Sequence, residues 1–297
     1  MFSRSSLLHL RILFSYFLLP IFLFSLSLSP NIQREPLLWT FIIIHLFLYP
    51  ASNAFNSYFD KDENSIGLLK RPPRVKKGLY YLALLFDIVA ILLGYFFIGL
   101  TFAIMLLVYG LVSKAYSHTS VRLKKYAIIS WIVTGLFQGI FTFIMCYIGI
   151  NMFGIGTIWK AELLLGGLLT SLMLWANYPL TQVYQHEEDA KRGDNTFSML
   201  LGIRGTFYFA AVMFGIATLG FIFYFNTFFD SRYSFAFVLA LTPVVSFFLY
   251  WFWKVYQHPA KADYKHTMWL NFISATCLNV FFIYLFFEST HILNAFG

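Results

Sequence analysis

Apolar stretches recur along the whole chain, each closed by a short polar segment. They run to about 17–25 residues, the length at which an α-helix crosses the hydrocarbon core of a bilayer. The pattern predicts nine such helices, over 12–29, 38–56, 79–98, 101–117, 127–149, 161–183, 206–226, 233–253 and 267–288. The third and fourth are divided only by a short turn at Gly99–Thr101. The runs are continuous and do not alternate with period two, which excludes the strands of a membrane barrel. Composition sharpens this. Hydrophobic residues are 59%, charged residues 11%, and mean hydropathy is +0.70. One water-soluble core cannot absorb that excess; it requires lipid as solvent. The expected class is an all-α polytopic membrane protein, with residues 1–297 forming one domain.

Charge orients the bundle. With the N-terminus in the cytoplasm, Lys and Arg number two before the first span, six in 57–78, four in 113–126, three in 184–205 and three in 254–266. That places 18 of 21 on the cytoplasmic side and leaves only Arg34, Lys160 and Arg232 opposite, as the positive-inside rule requires. The net charge of +8 is therefore topogenic and attracts anionic lipid; it implies no nucleic-acid partner. The N-terminal segment has the basic start and apolar stretch of a signal peptide, but its length and the charge count favour a retained first helix. No transit peptide is evident, so a bacterial cytoplasmic membrane is expected. Cys146 and Cys277 fall inside spans, without metal spacing, and are expected to pack as small hydrophobes.

Acids are scarce and unevenly placed. Seven of 13 fall in two short segments: Asp60, Asp62 and Glu63 after span two, and Glu187, Glu188, Asp189 and Asp194 after span six. Acids contribute little to topology, and two like-signed clusters on one side make sense if a cation lies between them. Asn56, Asp60 and Asn64 are four residues apart and would line one helix face. Gln185 and Asp189 repeat the step, with Glu188 one residue off. Each set is an oxygen-rich ledge suited to a hard cation such as Mg2+, which keeps waters and bridges carboxylates to substrate phosphates. The adjacent bases Lys61, Lys70, Arg71, Lys124, Lys191 and Arg192 suit phosphate oxygens. Either cluster alone is equally what helix capping or solvation produces; the matched pair is the signal.

Four segments resemble the UbiA-type intramembrane aromatic prenyltransferases. "NSYFDKDEN" (56–64) resembles that family's first Asp-rich motif, and "QHEEDAKRGDNT" (185–196) its second, with Gly193 and Thr196 matching the tail. "YSHTSVRLKK" (116–125) resembles its Tyr-to-Lys segment after helix four, and "LLGIRGTF" from Leu200 its entry into helix seven. The resemblance implies nine helices around a central cavity, and Mg2+-dependent transfer of an isoprenoid group from an allylic diphosphate to a hydrophobic acceptor, aromatic or lipid. It implies metal ligation by Asn56, Asp60, Asn64, Gln185, Glu188 and Asp189. Diphosphate binding falls to Asn56, Arg71, Lys124, Lys191 and Arg192, and catalysis to Asp60, Asp189, Lys124 and Tyr116, with Tyr116 and Tyr184 facing the carbocation. Three positions depart from the pattern. Ser57 and Asn64 stand where the first motif carries Asp, and Gln185 stands for the first Asp of the second. Amide oxygens can ligate but bring no negative charge.

Two other readings are weighed. The lost aspartates suit a non-catalytic isoprenoid- or lipid-binding member. A transporter would also bury polar groups, but near the midplane rather than at one rim. Asp87 lies inside span three and suits either an internal bond or a substrate cavity. Gln138, Asn177 and Gln182 are expected to bond between helices, and His186 to pack at the rim. "KRPPRVKKG" (70–78) is expected to fold over the head group. Trp159, Trp251, Trp253 and Trp269 are expected as interfacial anchors.

Overall fold

A computed structural model describes residues 1–290 of the chain. Among them nine helices are long and apolar enough to cross a membrane, and no strand forms beyond two isolated bridges. They cover Arg4–Ser27, Arg34–Asp60, Gly78–Phe97, Leu100–Ser117, Ala127–Asn151, Ala161–Thr181, Phe197–Phe228, Ser231–Gln257 and Tyr264–Thr290. Every expected span is present, and most extend a few residues further than the apolar run that marks them.

The departures from straight helix have local causes. Gly99 adopts φ 142 between spans three and four, a conformation that only glycine takes readily. The first span is broken: a helix over Arg4–His9 ends before Arg11 at φ 46, a 3-10 segment follows over Ile12–Leu18, and α-helix resumes at Leu19–Ser27. In span five a π-turn at Phe137–Phe141 leaves Gly139 non-helical. There the Ser171 hydroxyl accepts from the Ile140 N–H at 2.9 Å, replacing a lost ladder bond. In span seven Gly202 sits at φ 71 and bends the helix, so its straight part begins after Gly202, nearer the expected start at Thr206 than Phe197.

The chain divides into two compact units. The first holds Met1–Tyr16, Pro30–Lys125 and Met145–Ile155, and so contains spans two, three and four. Phe55, Leu79, Leu82 and Ala83 are buried at its core together with Leu10 of the N-terminal segment. His9 bonds the Pro73 carbonyl at 2.8 Å and Ser5 donates to that of Arg74 at 2.7 Å. The loop between spans two and three is thus fastened to the N-terminal helix. Inside this unit Asp87 of span three forms a salt bridge with Lys114 of span four, whose ammonium also lies 4.9 Å from the Phe55 ring centroid. Lys114 is therefore a half-buried ion-pair partner, beyond its place in the charge count.

The second unit holds Phe17–Ser29, Tyr126–Ile144 and the chain from Gly156, with spans six to nine complete. Its interior is aromatic: Phe24 stacks on Phe282 at 4.6 Å between centroids and meets Phe143 and Tyr224. Trp159, Trp253 and Trp269 are exposed, as anchors should be. Trp251 is not: it is fully buried and donates to the Lys261 carbonyl at 2.8 Å. Its place near a span end did not distinguish an anchor from a buried side chain whose N–H has a partner.

Candidate active site

The first acidic segment is built on the end of span two. The helix over Tyr49–Asp60 stops because Lys61 turns into the left-handed region, φ 51, while its N–H bonds the Ser57 carbonyl. Asn56 and Asp60 keep the predicted one-turn spacing on one face. Asn64 does not: it lies beyond the stop, exposed in the following loop, so the three-step ledge shortens to two. The structure supplies another partner in its place. Lys124, in the 3-10 turn Leu123–Lys125, is buried and forms an ion pair with Asp60; their side chains are only 8% and 7% exposed. One helix turn earlier, Asn56 donates to the Ser117 hydroxyl at 3.2 Å. The segment after span four is thereby joined to the end of span two at two points, which brings Tyr116 onto the same stretch. Ser57 is fully buried and offers no charge where an aspartate was expected.

The second segment is not the continuation of span six. That span closes in a 3-10 turn at Tyr178–Thr181, and a separate short helix, His186–Lys191, carries the acids, with Gln185 as its N-cap residue. The Asp189 N–H bonds the Gln185 carbonyl at 2.9 Å, so the four-residue step survives. Gly193 at φ 71 turns the chain back, and the Asp194 N–H then reaches the Asp189 carbonyl at 2.9 Å. Arg192 lies between two carboxylates, paired with Asp189 and with Asp194 at 3.4 Å. Glu188, Asp189 and Asp194 are all buried. A polar relay supports them: Gln182 accepts from the Ser198 N–H at 3.2 Å, and the Ser198 hydroxyl meets His186 at 2.8 Å and Thr206 at 2.9 Å. Burial holds His186 below its ordinary pKa, favouring the neutral ring within the relay.

Several expected residues stand apart from these clusters. Arg71, Lys191, Lys61 and Lys70 are exposed. Between adjacent Lys191 and Arg192, only the latter turns inward. Asp194 was read as part of the acidic run without a role; it is the most buried of the seven clustered acids at 3% exposed. Sequence could not choose among neighbours, because side-chain direction follows from the short helix and the Gly193 turn, neither of which has a periodic signature.

The donor set suits a hard divalent cation. Among the described residues no three His, Cys, Asp or Glu side chains converge into a closed cage. Mg2+ does not need one, since it takes one or two carboxylates and completes its shell with waters and phosphate oxygens. Each segment offers a carboxylate with a buried side chain and a half-buried amide, and no soft ligand, which fits that ion.

Within the second unit lies a cavity of about 480 Å³ bounded by residues of spans one, six, seven, eight and nine. Its walls are mainly aliphatic and aromatic, including Phe17, Phe214, Phe248 and Phe282. Asn177 of span six and Asn271 of span nine line it and bond to each other at 3.0 Å. Asn177 thus bonds between helices as expected; Asn271 carried no motif that could have announced it.

No curated protein matches the chain. Solved structures do. A UbiA homologue from Archaeoglobus fulgidus bound to DMAPP and Mg2+ matches with a TM-score of 0.69 at 14% identity, over 95% of this chain and 99% of that one. The homologue bound to GPP and Mg2+ gives 0.67 at 15%, over 95% and 99%. A structure of digeranylgeranylglyceryl phosphate synthase gives 0.59 at 18%, over 94% and 97%. At these identities the matches show a common fold along nearly the whole length. The UbiA prenyltransferase family model matches residues 17–275. With both Asp-rich segments and nine spans present, the chain belongs to the UbiA prenyltransferase family.

Proposed function

We propose that the chain transfers an isoprenoid group from an allylic diphosphate to a hydrophobic acceptor, aromatic or lipid, within the membrane, and that it requires Mg2+. The whole chain acts as one catalytic domain in a bacterial cytoplasmic membrane, with the N-terminus and both acidic segments on the cytoplasmic side. The observation that carries the reading is the same in both segments: a buried carboxylate held against a buried or half-buried base, Asp60 with Lys124 and Asp189 with Arg192. A metal–diphosphate complex needs both charges, carboxylate for the cation and base for the phosphate oxygens that the cation leaves free.

In this reading Asn56 and Asp60 are the metal ligands of the first segment, and Gln185, Glu188 and Asp189 those of the second. Bound Mg2+ supplies charge stabilisation to the departing pyrophosphate, where negative charge develops. Lys124 and Arg192 share their carboxylates with phosphate oxygens and hold the leaving group. Tyr116 and Tyr184 turn electron-rich faces toward the allylic cation, and the apolar spans exclude water from it. The acceptor attacks that cation, so no protein nucleophile is needed. Asn64, Arg71 and Lys191 take no first-rank part, since all three are exposed.

A second reading has one observation in its favour. Ser57 is buried and uncharged, and Asp60 and Asp189 are each already neutralised by a base, as a metal-free lipid-binding member of the family would require. Incubation of purified protein with a radiolabelled allylic diphosphate, Mg2+ and a lipid extract separates the two. Label appearing in the apolar fraction supports transfer. Retention of label as intact diphosphate supports binding alone.

A further inference from the structure

The cavity in the second unit is almost wholly apolar, yet it contains polar atoms with no partner. Asn177 donates its amide to Asn271 at 3.0 Å, which fixes both side chains and leaves Asn177 Oδ1 buried without a hydrogen bond. Ser274, one turn along span nine from Asn271, also lines the cavity, and its hydroxyl is buried and unbonded as well. An unsatisfied buried polar atom costs about 1–3 kcal/mol, and two at one end of one cavity point to a ligand that completes them. No charged side chain lines the cavity among the described residues.

We infer that this cavity takes an uncharged apolar molecule bearing a hydroxyl, and that Asn177 and Ser274 recognise that hydroxyl. A hydroxyl donates one hydrogen bond and accepts others, so it answers a carbonyl oxygen and a neighbouring Ser hydroxyl together. It would also serve if the two amides were rotated to present an N–H, because it accepts as readily as it donates. A carboxylate or a diphosphate is excluded from the pocket, since a buried charge needs a partner and none lines the walls. The place fits an acceptor. Asn177 is the last α-helical residue of span six, next to the 3-10 turn Tyr178–Thr181 that leads to the second acidic segment. Leu219 and Leu249, which also line the cavity, are themselves exposed, so an apolar ligand reaches it from the lipid-facing side. Assigning the ligand as prenyl acceptor rests on the proposed transferase reading; assigning its chemistry does not.

The test measures binding of para-nonylphenol, its methyl ether and para-nonylbenzoate to purified full-length protein in detergent, above the micelle background. The wild type should hold the phenol about tenfold more tightly than the ether, and the benzoate no better than the ether. Ser274→Ala removes only an unbonded hydroxyl, so it should fold normally, and it should cut the preference for the phenol to about threefold or less. Asn177→Leu should abolish the preference. Equal binding of phenol and ether by the wild type overturns the inference, as does a preference that survives Ser274→Ala undiminished. Pyrophosphate release from an allylic diphosphate, with Mg2+ and a lipid extract as the source of acceptor, is followed in parallel. Release with no hydroxyl preference defeats this inference alone. Hydroxyl preference with no release defeats the transferase reading alone.

Discussion

Lys124 and Asp60, 64 residues apart in the chain, form a buried ion pair that joins the turn after span four to the last residue of span two. Removing one partner of such a pair takes that compensation from the other buried charge, at a cost of up to about 3–5 kcal/mol, whereas removing both costs less. Lys124→Met should therefore lower the melting temperature of the purified protein more than the double variant Asp60→Asn with Lys124→Met. Activity should separate from stability: Lys124→Met and the double variant should both lose about 100-fold or more in pyrophosphate release.

Arg192 and Lys191 make a matched comparison. The former pairs with Asp189 and Asp194, and the latter is exposed. Arg192→Gln should reduce turnover by about 100-fold. Lys191→Gln should stay within about twofold, as exposed charges contribute little. Equal losses in initial-rate assays would show that simple net positive charge, and not the clamp, is what matters.

Gly193 turns the second segment at φ 71 with open space around its Cβ position. Strain alone then sets the cost of a side chain, about 1–2 kcal/mol for the left-handed region. Gly193→Ala should destabilise by that amount and weaken Mg2+-dependent binding of the diphosphate. Gly193→Asn should recover part of both, because Asn tolerates this region better.

The basic residues predict topology in a form that can be measured directly. A cysteine introduced at Lys70 should react with an impermeant maleimide only after bacterial cells are permeabilised, and one at Lys160 should react in intact cells. The reverse pattern would place the acidic segments outside the cell.

The nine spans were legible because length and continuity of apolar residues are one-dimensional properties, and the structure has a helix for every one. The site was legible in its residue types and only partly in its geometry. Asn64 was expected on the same face as Asp60, but the left-handed Lys61 ends the helix first. A lysine gives no sign that it will adopt that conformation. The four-residue step of the second segment is present, but the 3-10 turn that separates its short helix from span six has no mark in the sequence. The pairings of Lys124, Arg192 and Lys114 depend on side-chain direction and on segments distant in the chain, which periodicity does not encode. Asn177 and Asn271, 94 residues apart, meet at the wall of one cavity in the second unit, a juxtaposition that no local pattern encodes.

The central claim is that Asp60 and Asp189 serve the Mg2+-dependent ionisation of an allylic diphosphate. The most direct test follows pyrophosphate release from a panel of allylic diphosphates by purified protein in detergent, with a lipid extract as the source of acceptor. It uses wild type, Asp60→Ala and Asp189→Ala, each with Mg2+ and with EDTA. Release by the wild type should vanish in EDTA, return with Mg2+, and fall by about 100-fold or more in both variants. A wild type that binds the diphosphate without releasing pyrophosphate, or variants that release it as the wild type does, would contradict the account.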